Sequence, residues 1–186
     1  MDTIFKTLQE KENGTFFKKE TKWWNGHAYF PCYTYALHYQ FLSANIKIHY
    51  EYKQSEFSKP SMVDGGAFGD RHHCSIKVNI TTNKKNADFQ IYERSFFSKL
   101  FKKQNTSSYQ IKCKDTKLNA FLKNNTNLQN IFSIVENSPE FSPLLQAKSK
   151  KQNYSLYITY STQQENGYAL FLANDLCKDI ISYIHQ

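Results

Sequence analysis

Apolar and polar residues alternate with a period of two over much of the chain. The alternation is clearest in residues 28–41, 46–53, 74–81 and 154–160, where aromatic or aliphatic side chains occupy every second position. This is the period of a strand that buries one face. We therefore predict antiparallel strands, with 28–41 and 46–53 paired as one hairpin and 74–81 and 89–92 paired as a second.

Other segments have helical spacing and recognisable helix ends. The predicted helices are 3–12 before an Asn13-Gly14 stop, a short one over 95–103, a pair interrupted at 124–126 after a cap at Asp115 or Thr116, and a last one from Asn174 or Asp175. Asn166-Gly167 predicts a hairpin turn into a strand over 168–172. The resulting fold class is α+β, an antiparallel sheet built from hairpins with three to five helices packed on one face.

The order of elements differs between two halves of the chain. Residues 1–103 are rich in β-hairpins with short helices, and residues 104–186 form an α+β half after the polar segment 104–108. We expect the two halves to share one core, and a single domain is compatible with the same pattern.

Aromatic residues are abundant, with 15 Phe and 13 Tyr among 186 residues, and 40% of the chain is hydrophobic. Each ring buries ~150–250 Å², which is enough for a substantial core. Tyr29, Tyr33, Tyr35 and Tyr39 share the phase of Leu37, so we expect them to lie in the core rather than to stack on bases or sugars.

The formal net charge is +8, which suggests nucleic acid or an anionic membrane as a partner. Only Arg71 and Arg94 are arginines, however, and the lysines are scattered in short pairs. Specific phosphate and base recognition favours the guanidinium fork. We therefore interpret the lysines first as a solvated surface, and keep a nucleic-acid-binding module that uses dispersed lysines as an alternative.

Neither a signal peptide nor a run of ~20 apolar residues is found in the sequence, so we predict a cytoplasmic protein with no transmembrane segment. Cys32, Cys74, Cys113 and Cys177 have no paired spacing, and each is expected to point inward as a reduced thiol. This spacing favours neither a disulfide nor a zinc site, and we expect no cofactor.

A glycine-rich loop, residues 59–74, lies between two alternating segments and holds three of the six glycines. Binding groups are often mounted on such connections. We predict that its binding residues are Gly65, Gly66, Phe68, Gly69, Arg71 and His72. The glycine N–H groups could hold an anion, although a strand follows where a phosphate-binding loop would have a helix, which favours a flexible connection.

The same loop holds the densest group of acid, base or metal-binding side chains. His73 and Asp70 are the candidate catalytic residues, with His72 and Asp64 as possible partners. Neighbouring residues in a strand point to opposite faces, so His72 and His73 cannot serve one metal ion. We therefore predict no metal site, and note that His38 and His49 could meet across the first hairpin.

The absence of a catalytic motif favours a non-enzymatic domain that binds a protein partner through the glycine-rich loop or a sheet face. A small metal-dependent hydrolase that uses His72 or His73 with Asp64 or Asp70 is one alternative. The nucleic-acid-binding module is the other.

Overall fold

Eight antiparallel strands form one sheet in the computed structural model, which describes residues 1–24, 28–54, 70–82, 86–93, 109–138, 140–150 and 152–186. The strands are β1 Thr15–Trp24, β2 Tyr29–Phe41, β3 Ala44–Lys53, β4 Arg71–Thr81, β5 Phe89–Glu93, β6 Tyr109–Cys113, β7 Leu144–Lys150 and β8 Asn153–Thr162. Four helices accompany them within these residues: α1 Asp2–Glu12, α2 Thr116–Asn124, α3 Thr126–Asn137 and α4 Gly167–His185. The predicted α+β class with an antiparallel sheet is confirmed.

The strands follow the order β1-β2-β3-β4-β8-β7-β5-β6 across the sheet. The pairing of β2 with β3 matches the predicted first hairpin. The predicted second hairpin is wrong, because β4 pairs with β3 and β8 while β5 pairs with β6 and β7. A period of two indicates a strand but does not say which strand lies beside it. The sheet takes strands from both predicted halves, whose boundary at 103/104 lies outside the described residues.

The inner face of the sheet, which we define as the face whose side chains form the core, carries a continuous apolar row across all eight strands. Register pairs place its members side by side: Phe16, Leu37, Ile48, Ile76, Ile158, Leu145, Ile91 and Ile111. From Leu37 to Ile91 these side chains are at most 1% exposed. Burial of each aliphatic side chain contributes ~1.5–3 kcal/mol relative to exposure, so this row anchors the centre of the sheet.

Three helices contact inner-face side chains directly. The contacting pairs are Phe5 of α1 with Tyr35, Asn174 of α4 with Tyr39, and Phe132 of α3 with Tyr109. Phe5 is fully buried and also lies 6.2 Å from the Tyr50 ring centroid. None of the described helices combines the length and apolarity needed to cross a membrane.

A partly buried polar network connects α1 to α4. Lys178 donates to Glu12 at 2.7 Å, and Asn174, which is fully buried, donates to the same carboxylate at 3.1 Å. Burial acts to lower the pKa of Lys178, but its hydrogen bond to Glu12 and the nearby carboxylates outweigh this and raise that pKa above 10.5. The network satisfies polar groups that would be costly to bury alone.

Two helix ends were predicted correctly and one was not. Asn13 adopts the left-handed conformation after α1, with φ of 50°, and the Asp115 side chain caps α2 by accepting the Leu118 N–H at 2.8 Å. The prediction that the last helix begins from Asn174 or Asp175 is wrong. The predicted strand over 168–172 is instead the beginning of α4, where Asn166 accepts the Ala169 N–H. This apolar run fits either a buried strand or a buried helix by periodicity alone.

Candidate functional site

Most of the glycine-rich loop lies outside the described residues. This applies to the predicted site residues Asp64, Gly65, Gly66, Phe68 and Gly69. Asp70 and the first residues of β4 are described, so the structure places only that end of the predicted site. Binding by the glycines therefore stays a prediction.

His72 and His73 point to opposite faces, as predicted. His72 is 5% exposed on the inner face, where its Nδ1 lies 2.9 Å from the Tyr50 hydroxyl and its ring stacks on Tyr52 at 4.5 Å. Burial lowers the pKa of His72, while nearby carboxylates, first Asp70, oppose that shift. His73 is exposed on the outer face, with Nδ1 at 3.0 Å from Ser161 Oγ. The two imidazoles therefore cannot act on one ligand.

Asp70 accepts a hydrogen bond from the Tyr52 hydroxyl at 2.9 Å. Burial, followed by this hydrogen bond, raises the pKa of Tyr52 to about 12. Across the described ranges, no group of three or more His, Cys, Asp or Glu side chains is placed to hold a metal ion. His38 lies opposite Lys47 and His49 lies opposite Ala36, so these two histidines are offset along the hairpin. The hydrolase alternative stays a prediction, with Asp64 outside the described residues.

Two of the four cysteines are fully buried, and all four are free thiols. Burial raises the pKa of the Cys74 thiol to about 12, which makes it a poor nucleophile at neutral pH. The prediction that all four point inward is wrong for Cys32, which pairs with Thr21 and Lys53 on the outer phase of β2. It is nevertheless buried, at 5% exposure.

The outer face of the sheet, opposite the core, carries a second row of side chains. Each lies on the strand residue next to a member of the apolar row. The eight members of this second row form one line across the sheet, which we call the cross-strand row: Thr15, His38, Lys47, Lys77, Tyr157, Gln146, Gln90 and Lys112. Six of the eight are exposed, and Tyr157 and Gln146 are half-buried. Each member neighbours in sequence a residue of the apolar row, which fixes its backbone in the middle of the sheet.

Lys47 and Lys77 are directly opposite each other on β3 and β4. Like charges in such cross-strand pairs destabilise a sheet. Lys77 extends toward the next strand, where its Nζ lies 5.6 Å from the centroid of the Tyr157 ring. Further along the face, Lys112 Nζ lies 4.9 Å from the centroid of the Tyr92 ring. The face thus pairs cations with aromatic rings at two places.

The charges of the described residues are separated between the outer face and the rest. The outer-face strand positions carry eight basic side chains, namely Lys19, Lys47, Lys53, Arg71, Lys77, Lys112, Lys148 and Lys150. Their one carboxylate is Glu51, which pairs with Lys53 at 2.8 Å. The remaining described residues hold eight basic and thirteen acidic side chains. The outer face is therefore strongly positive, although the lysines are scattered in sequence.

Aromatic rings lie at one side of the outer face as well. Phe17 is 54% exposed and contacts His38, with ring centroids 5.8 Å apart. Trp23 and Phe30 are half-buried neighbours across β1 and β2, at 6.4 Å. On the inner phase, at the end of the same hairpin, Trp24 and Tyr29 are 53% and 69% exposed. The expectation that Tyr29 lies in the core is wrong, because the hairpin extends past the core.

The cross-strand row is the feature that sequence reasoning missed. The alternation does place Lys47 and Lys77 on outward positions, but their meeting depends on the pairing of β3 with β4. The signal available in the sequence was the outward phase of lysines in several predicted strands.

No family model matches the sequence, and no curated protein or solved structure matches it either.

Proposed function

We propose that this protein is a non-enzymatic binding module that holds single-stranded nucleic acid on the outer face of its sheet. The observation that carries the proposal is the directly opposed pair Lys47 and Lys77, set in a face with eight basic side chains and one carboxylate. A polyanion that spans the face relieves the repulsion between these cations and releases its own counterions.

The position of the helices supports this use of the outer face. Each contact named above between a helix and the sheet involves an inner-face side chain, namely Tyr35, Tyr39, Tyr50 or Tyr109. The apolar row behind the cations is buried, so the outer side chains are mounted on a rigid backing. An exposed antiparallel sheet with aromatic residues is a known means of presenting stacking groups to unpaired bases.

A single strand fits this face better than a duplex does. Duplex readout places a helix or a narrow ribbon in the major groove, and Arg supplies its commonest base contact. Here the surface is a broad sheet, and Arg71 is one guanidinium among seven lysines. Lysine binds phosphate as a point charge without fixing the base sequence. The rings of Tyr157 and Tyr92, beside Lys77 and Lys112, can stack on bases of any sequence.

The test is binding of fluorescent dT12 and U12 single strands, measured by anisotropy at several salt concentrations. Lys47→Glu/Lys77→Glu should weaken binding at least tenfold and reduce the salt slope by about 1.4, which is ~0.7 for each phosphate that is no longer neutralised. The matched control is Lys6→Glu/Lys117→Glu, which makes the same change in net charge on exposed helix positions and should bind as the wild type does.

Equal weakening by the two double variants would refute the outer-face site, because net charge alone would then explain binding. Preference for a 12-base-pair duplex over the single strands would contradict the single-strand proposal. Binding of poly-glutamate as tight as that of dT12 would identify the partner as an acidic protein instead. Circular dichroism of each variant confirms that the fold is retained.

A protein partner is the second candidate, and one observation favours it. Trp24 and Tyr29 expose adjacent rings, 5.0 Å apart, at the end of the first hairpin. Trp and Tyr often dominate the binding energy of protein interfaces. Affinity capture should lose a specific partner with Tyr29→Ala, and a partner retained by that variant would exclude the hairpin end. The predicted role of the glycine-rich loop in such binding stays a prediction.

A further inference from the structure

We infer that the bound single strand crosses the β-strands along the cross-strand row instead of following any one of them. This inference rests on the proposed function and adds the path of the ligand. It depends on where the cations lie along each strand and on which of them are already paired.

Six of the eight outer-face cations fall into two groups. One follows the cross-strand row, where Lys47 and Lys77 are the third and fourth of the eight members and Lys112 is the last. Lys148 belongs to this group as well. It is the next outward residue after Gln146 on β7 and pairs with Ser155, two residues before Tyr157. No strand carboxylate points outward along this row in the described residues. The group therefore carries net positive charge from β3 to β6. One carboxylate lies beside it, that of Asp88, which precedes β5 next to Lys148 and accepts the Ser149 N–H at 2.7 Å.

The second group lies at the far end of β3 and β4, where Lys53 and Arg71 are directly opposite each other. It contains Glu51, whose carboxylate is 2.8 Å from Lys53 Nζ. A phosphate at this position would lie beside a carboxylate. A carboxylate therefore pairs directly with one of the two cations at this end of β3 and β4, whereas Lys47, Lys77 and Lys112 have no ion pair among the described residues.

The aromatic and amide side chains follow the same direction. Tyr157 continues the row after Lys77, and Gln146 and Gln90 carry it to Lys112. Tyr92 lies under the Lys112 ammonium on the neighbouring outer position of β5. A single-stranded nucleic acid on this path contacts a cation and a ring, then two amides, then a second cation and ring. These groups suit phosphates, base edges and base faces.

Lys112 and Arg71 provide a matched pair of test positions because they are about equally far from Lys77. Lys112 is four strands away across the sheet, or roughly 19 Å at ~4.8 Å per strand. Arg71 is six residues away along β4, or roughly 20 Å at ~3.4 Å per residue. Both side chains are exposed on the outer face, so Lys112→Glu and Arg71→Glu change the same charge at the same range.

The experiment measures dT12 affinity and salt slope for the full-length Lys112→Glu and Arg71→Glu variants, with Lys112→Ala as a milder substitution if the reversal impairs folding. We expect Lys112→Glu to weaken binding at least fivefold and to lower the slope by ~0.7, with a smaller loss of affinity and of slope for Arg71→Glu. A larger loss with Arg71→Glu, or an equal loss with both, would overturn the crossing path and leave the outer-face proposal standing. No binding of dT12 by the wild type would refute both.

Photocrosslinking gives an independent readout of the path. A dT12 in which 5-iodouracil replaces single bases should crosslink to peptides that contain Tyr157 and Tyr92. Crosslinks confined to the peptide with Trp23 would contradict the path, because that ring lies at the end of β1 away from the row.

Discussion

Lys47→Glu should make the protein more stable and a weaker binder at the same time. In the wild type, Lys47 and Lys77 are directly opposite each other and both exposed. Their repulsion therefore raises the free energy of the folded state. The substitution replaces the repulsion with an attraction. Each such cross-strand pair is worth ~0.2–1 kcal/mol in either sense, so we expect a net stabilisation of about 1 kcal/mol. In a chain of this size that raises Tm by roughly 2–4 °C.

Urea denaturation followed by circular dichroism measures the gain, since urea, unlike guanidinium chloride, does not screen charges. Lys47→Glu/Lys77→Glu should return close to the wild-type free energy of unfolding, because two like charges face each other again. Lys6→Glu, on the exposed side of α1, is the control and should lie within ~0.5 kcal/mol of wild type. A destabilised Lys47→Glu variant would refute the reasoning. So would a gain that persists in 1 M salt, where screening acts within ~3 Å.

Three further predictions concern the core, a helix cap and pH. Phe5→Ala should lower the free energy of unfolding by ~3–5 kcal/mol, because the ring is fully buried, while Lys6→Ala stays near wild type in the same urea titration. Asp115→Ala removes the side-chain cap of α2 and should cost ~1 kcal/mol, seen as a lower thermal midpoint. Burial lowers the pKa of His72 below 6.5, so the unfolded chain binds the proton more readily and stability is lost as pH falls through that value. The urea midpoint should therefore fall less steeply between pH 8 and pH 5 in His72→Asn than in wild type. An unaltered pH profile in His72→Asn, or an equal change in His73→Asn, would show that His72 is not the residue responsible.

Local structure was largely predictable because it depends on local physics. The alternation in residues 46–53 shows a half-buried strand wherever that strand lies, and Asn13 and Asp115 end or begin helices through their own side chains and backbone. The inward tyrosines followed from the same phase argument, and Tyr35 and Tyr39 are indeed buried. The strand predicted over 168–172 was wrong because a short run that is apolar throughout has no periodicity that would distinguish a strand from a helix.

The sequence by itself determined the fold class, most of the strands, and the outward phase of Lys47, Lys77 and Lys112. It did not determine that these three lysines lie in one row, because their separation along the chain says nothing about which strands become neighbours. The order of strands in the sheet places the three lysines in one row. β8 and β7 come late in the sequence but lie between β4 and β5, and this brings Lys112 into line with Lys77. Pairing between distant strands is decided by burial of the whole apolar row, a property of the complete sheet, and so the charge pattern of the outer face exists only in the tertiary structure.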